Sequence, residues 1–146
     1  MKFKSLTALI CGAVMLISAT CFAAVDAGKI AIGAVAPGMS ESALVNAFGQ
    51  PQSKNGDDWT YPTFKVEVEG GIVTEISTRN ETIITPDGVR VGLAADILNS
   101  TFGAADKVDN ERDGVEYEYY STDGTKSFKF VVRGGVIVEM KSELHD

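Results

Sequence analysis

The stretch Phe64–Ser77, FKVEVEGGIVTEIS, and the later stretch Phe128–Lys141, FKFVVRGGVIVEMK, decide how this chain is read. Both open on Phe-Lys, turn on a Gly-Gly pair, and place a glutamate, Glu75 or Glu139, at the same distance beyond it. In the first, Phe64, Val66 and Val68 alternate with Lys65, Glu67 and Glu69. After Gly70-Gly71, a hairpin turn signal, Ile72, Thr74 and Ile76 fall on one face and Val73, Glu75 and Ser77 on the other. In the second, Phe128, Phe130 and Val132 oppose Lys129, Val131 and Arg133; beyond Gly134-Gly135, Val136, Val138 and Met140 oppose Ile137, Glu139 and Lys141. Period two with one charged face predicts antiparallel sheet covered on one side only.

Working outward, Trp59-Thr60-Tyr61 and Tyr117-Glu118-Tyr119 read as a further strand before each hairpin. Pro62-Thr63 turns the first and Asp123-Gly124 the second. Upstream, Val35–Gly49 (VAPGMSESALVNAFG) aligns without gaps to Val89–Gly103 (VRVGLAADILNSTFG). Ala43, Leu44, Ala47 and Phe48 make a helical stripe; Ser40 is a suitable N-cap and Gly49 a suitable stop. Ala94 stands where the first copy has Ser40, so that hydroxyl is missing from the second helix. Internal repetition of this kind predicts an α+β fold. Two tandem units, each a helix plus a three-stranded antiparallel sheet, would share a core or a sheet edge. The expected boundaries are a signal peptide at 1–23, a first unit at 24–79 and a second at 80–146. Phe48 and Phe102, at equivalent helix positions, are both expected to pack on their sheets.

The series Gly38-Met39-Ser40, Leu44, Phe48-Gly49-Gln50-Pro51, followed by Trp59-x-Tyr61 and a hairpin, resembles the SmpA/OmlA family of bacterial envelope proteins. Duplicated, it is similar to the β-lactamase-inhibitor-protein-like fold. That resemblance implies two joined helix-plus-sheet units whose exposed sheet surface grips a partner protein. It carries over no inhibitory or assembly residue.

Lys2 and Lys4 precede an apolar run from Leu6 to Ala19. That run has the length of a secretory h-region and is too short to span a bilayer. Cys21-Phe22-Ala23 predicts cleavage at the Ala23–Ala24 bond, which removes both Cys11 and Cys21. The rival, a lipoprotein acylated on Cys21, meets Ser18-Ala19-Thr20 where a lipobox would stand. The expected location is periplasmic or extracellular, with no stable membrane insertion after cleavage. A net charge of −7 disfavours nucleic acid.

Asp109–Gly114 (DNERDG) imitates the start of a calcium loop, but Tyr120 stands where the closing bidentate Glu belongs, and the stretch reads as a solvated turn. The Gly pairs lie between strands and not at a helix N-terminus, so no phosphate loop is expected. His145, the one histidine, reads as tail. No catalytic residue, metal ligand or cofactor is expected. The outer sheet face is expected to carry large apolar side chains at Tyr120, Val131 and Ile137, with Arg133 at their edge. An exposed apolar cluster with a charged rim marks an interaction site. The expected function is therefore a non-catalytic, exported protein-binding module with one unidentified protein partner. The alternative is a small-ligand-binding or enzymatic envelope protein whose site is not visible in sequence.

Overall fold

The computed structural model describes residues 24–146. The expected signal peptide and both cysteines lie outside the described residues. Among the described residues, two short helices, α1 (Glu41–Phe48) and α2 (Asp96–Phe102), accompany eight strands. These are β1 (Ser53–Asn55), β2 (Asp58–Thr60), β3 (Lys65–Glu69), β4 (Ile72–Thr78), β5 (Lys107–Glu111), β6 (Gly114–Tyr120), β7 (Lys126–Arg133) and β8 (Val136–Leu144). All eight form one antiparallel sheet in the order β1-β2-β3-β4-β8-β7-β6-β5.

This corrects the α+β expectation. The fold is mainly β, one continuous eight-stranded sheet, and not two units of a helix plus three strands. The helices span only two turns each, too little to form a layer. β1 and β5 are polar edge strands with mostly exposed residues, so neither carries the alternation that reveals a strand. β4 joins β8 through Glu75–Glu143, Ile76–Ser142, Ser77–Lys141 and Thr78–Met140. This seam crosses the expected boundary at residues 79 and 80.

Ser40 Oγ accepts from Ala43 N at 3.2 Å and caps α1. α2 has no side-chain cap. The chain before each helix is tied to the inner half of a hairpin. Gly38 N donates to Val73 O and Val73 N to Met39 O; Gly92 N donates to Ile137 O and Ile137 N to Leu93 O. Ile30, Ile32 and Val35 from one lead-in and Val89 and Val91 from the other join Leu44, Leu98 and Phe102 in a single buried cluster. That cluster lies on the inner sheet face, on Trp59, Val66, Ile76, Phe128, Phe130 and Met140.

Two β-bulges overturn the expected parity of β4 and β8. Glu67 pairs Glu75, but the next pair is Val68 with Val73, leaving Thr74 over. Likewise Val131 pairs Glu139 and Val132 pairs Ile137, leaving Val138 over. An extra residue reverses which side chains face the core beyond it. Val73 and Ile137 are therefore buried, while Ile72 and Val136 are exposed.

Ser142 sits fully buried between Ile76 and Phe128, and among the described residues its Oγ has no hydrogen-bond partner. A buried hydroxyl without a partner keeps its desolvation penalty. Ser142→Ala is expected to raise stability by about 1 kcal/mol, read as a higher denaturation midpoint. An unchanged or lower midpoint would show that the hydroxyl finds a partner in solution.

Candidate functional site: the charge-banded outer sheet face

Because the helices and lead-ins occupy the inner face, the other face is left to charged side chains, and the strand register sorts them into bands. In the first, Asp58, Glu67, Glu75 and Glu143 stand directly opposite one another across β2, β3, β4 and β8. It continues through Ser127 to Tyr120. One pleat along lies a lysine-rich band: Lys65, Ser77, Lys141, Lys129, Glu118 and Lys107. A third row, Glu139, Val131, Glu116 and Asp109, is again acidic.

Like charges set opposite each other across strands repel. Burial, reinforced by Glu143, raises the Glu75 carboxyl above its ordinary value, and Lys141 and Lys129 counter part of this. Glu67 is raised by desolvation and then by Glu69 and Asp58; Glu116 is raised by desolvation. Lys129 knits the bands together, with Nζ 2.8 Å from Glu143 Oε2 and 3.8 Å from Glu118 Oε1. Arg79 donates to Glu139 Oε2 at 2.9 Å.

A pH dependence follows. Groups whose folded pKa is raised contribute stability that is complete below their unfolded pKa and is lost as pH rises through the folded value. Stability is therefore expected to be higher at about pH 5 than at about pH 7.5, and Glu75→Gln should flatten that difference. Asp123 acts in the opposite sense. Hydrogen bonds from Ser121 and Thr125 hold it down at about 2, so its contribution is lost only at far lower pH. A melting temperature that falls between neutral pH and about pH 5 would contradict the acidic band.

The structure separates the four expected contact residues. Tyr120 lies on the outer face, 38% exposed, at the end of the first band. Val131 lies on the same face in the third row. The two are four strand positions apart, about 13 Å, so they form no single apolar patch. Arg133 is exposed at the sheet end, where its Nε donates to Asp113 O at 2.7 Å. Ile137 belongs to the core, turned inward by the bulge. The surplus Val138 takes its place beside Val131 in an open groove of about 330 Å3, lined also by Arg79, Glu116, Arg133 and Lys141. A second open groove of about 540 Å3 lies by the Pro62-Thr63 turn and Arg79.

Asp109–Gly114 forms the end of β5 and its turn, with Glu111 paired to Gly114. His145, read as tail, is anchored. Its amide donates to Thr125 O at 2.7 Å, and its Nε2 lies 2.8 Å from Ser127 Oγ. The ring sits 5.5 Å from that of Tyr120. The alternation of Met140–Leu144, followed to its end, is the signal that could have placed it.

No protein-family model matches the chain, and no curated protein matches it by sequence. Solved structures do resemble it. A DUF4309 family protein (YjgB) from Bacillus subtilis superposes with a TM-score of 0.53 at 15% identity, over 73% of this chain and 78% of that one. An extracellular protein containing a SCP domain from Bacillus anthracis superposes with a TM-score of 0.56 at 8% identity. It is covered over 98% of this chain and 49% of its own, so the present chain spans about half its length. At these identities the likeness concerns the fold alone. Among the described residues no helix is long and apolar enough to cross a membrane.

Proposed function

We propose that this is an exported, non-catalytic module that binds a protein through the open face of its sheet. The observation that supports this reading is the banded outer face itself: two acidic rows flank a lysine-rich one, while the apolar cluster lies wholly on the other side. Its carboxylates outnumber its lysines, so the complementary surface is a basic protein surface with an acidic strip at its middle. Such patterning selects partners and fixes their register. The same excess of negative charge opposes phosphate backbones. Export is supported by the sequence before Ala24 and by the extracellular neighbour.

The test is capture of partner from exported material, by the wild type and by Tyr120→Ala/Val131→Ser. Loss of capture at an unchanged melting temperature is expected. Capture should also weaken in Glu75→Lys and at about 0.5 M salt, where charges are screened beyond a few ångströms. Capture indifferent to all three changes would remove the outer face from the reading, and a large stability loss in the double variant would make its residues structural.

A further inference from the structure

Three side chains that can ligate a metal converge at one end of the outer face. A carboxylate oxygen of Glu118, a carboxylate oxygen of Glu143 and a ring nitrogen of His145 all lie within 4.8 Å of one another. They come from β6, β8 and the residue just past β8, so the sheet register and the His145–Thr125 hydrogen bond assemble them. We infer that Glu118, Glu143 and His145 form a binding site for a divalent transition-metal ion of the zinc type.

Two further features support this. Glu118 is a buried carboxylate, only 4% exposed, and its ion-pair partner Lys129 Nζ stands 3.8 Å away, too far for a hydrogen bond. The Tyr120 hydroxyl also lies beside the Glu118 carboxylate, but neither neighbour sets a cation in direct contact with it, and a buried carboxylate favours one. His145 meanwhile is held through Nε2 at Ser127 Oγ, and metal-binding histidines are fixed by such a second hydrogen bond. In the tautomer in which Nε2–H donates to Ser127 Oγ, Nδ1 holds the lone pair a metal needs. One imidazole with two carboxylates suits zinc or manganese better than calcium, which takes oxygen ligands only. Bonds of about 2.0–2.2 Å require donors roughly 3.5 Å apart, so the three groups close by about 1 Å, within reach of rotations about their terminal torsions.

Lys129 is the competitor. Its ammonium now bridges Glu143 and Glu118, and the metal takes over that place as the lysine swings toward Glu116. The inference does not depend on partner binding, and its test needs no partner.

The test is calorimetric titration of the full chain with zinc chloride, alongside manganese and calcium chlorides. Saturable binding of one zinc per chain is expected, with a rise in melting temperature. His145→Ala and Glu143→Gln should each weaken binding at least about tenfold. Lys129→Met should tighten it, because the resident cation is gone. In NMR spectra the imidazole protons of His145 should move on zinc addition. Metal-free melting curves show that each variant is folded. No saturable zinc binding, equal binding by the His145 variant, or binding unchanged or weakened by Lys129→Met would each overturn the site.

Discussion

Phe102→Ala is expected to cost about 3–5 kcal/mol, and Phe48→Ala much less, although the two rings occupy matching places in the sequence. Phe102 is 3% exposed, with ring centroids 5.2 Å from Tyr119, 5.7 Å from Phe128 and 5.6 Å from Phe130. Truncation there removes an aromatic from a site closed on all sides, where the surroundings relax only partly. Burial in the same cluster pushes the Tyr119 hydroxyl up to about 12. Phe48 meets Phe64 at 5.1 Å and Tyr61 at 6.2 Å, yet remains 39% exposed. This corrects the expectation that both rings pack alike on their sheets. The cause is strand length. β6 and β7 run long beneath α2, while β2 ends at Thr60 and β3 starts at Lys65. Phe48 therefore rests on the Tyr61–Phe64 turn and overhangs it. Denaturant unfolding of both variants checks the contrast. Equal losses would show that α1 is as deeply seated as α2.

The hairpins were legible because each strand spends alternate positions on Phe and Val against Lys and Glu, a pattern that only half-covered sheet explains. The helix ends were legible too, from Ser40, Gly49 and Gly103. Edge strands were not. Ser53–Asn55 has no apolar residue to alternate, and Lys107–Glu111 has only Val108. The bulges were invisible for a different reason. Ile72-Val73 and Val136-Ile137 put two similar aliphatic residues side by side, so either could turn inward, and the choice belongs to the tertiary pairing. That ambiguity placed Ile137 in the expected contact surface when it belongs to the core. The charge bands were hidden in the same way. The β3–β4 hairpin sets Glu67 opposite Glu75, but only the β4–β8 seam, a long-range contact, brings Glu143 into line with them. His145 reads as tail because it lies one residue past the strand, where only the alternation of Met140–Leu144, carried to its end, points to its place.

Gly114→Ala is expected to destabilise the β5–β6–β7 edge by about 3 kcal/mol, more than other turn glycines. Gly114 opens β6 at φ 151°, a conformation that side chains rarely adopt. A Cβ there would run into the carbonyl oxygen of Val132 and stand 3.4 Å from Val131 Cγ1. The first contact is with backbone, so no rotamer change relieves it. Either β6 must part from β7, breaking the Val115–Val132 pairing, or the turn at Arg112-Asp113 must lift. Both would draw Asp113 O from Arg133 Nε and open the groove beside Val131. Gly124→Ala is the control. Gly124 also has positive φ, 72°, but its Cβ would meet nothing within 4 Å. It should lose only the left-handed backbone penalty, about 1–2 kcal/mol. Thermal denaturation of both variants, with hydrogen exchange across β5 and β6, separates the two effects. Faster exchange confined to that edge is expected for Gly114→Ala. A loss no greater than that of Gly124→Ala would mean that β6 and β7 do not approach so closely.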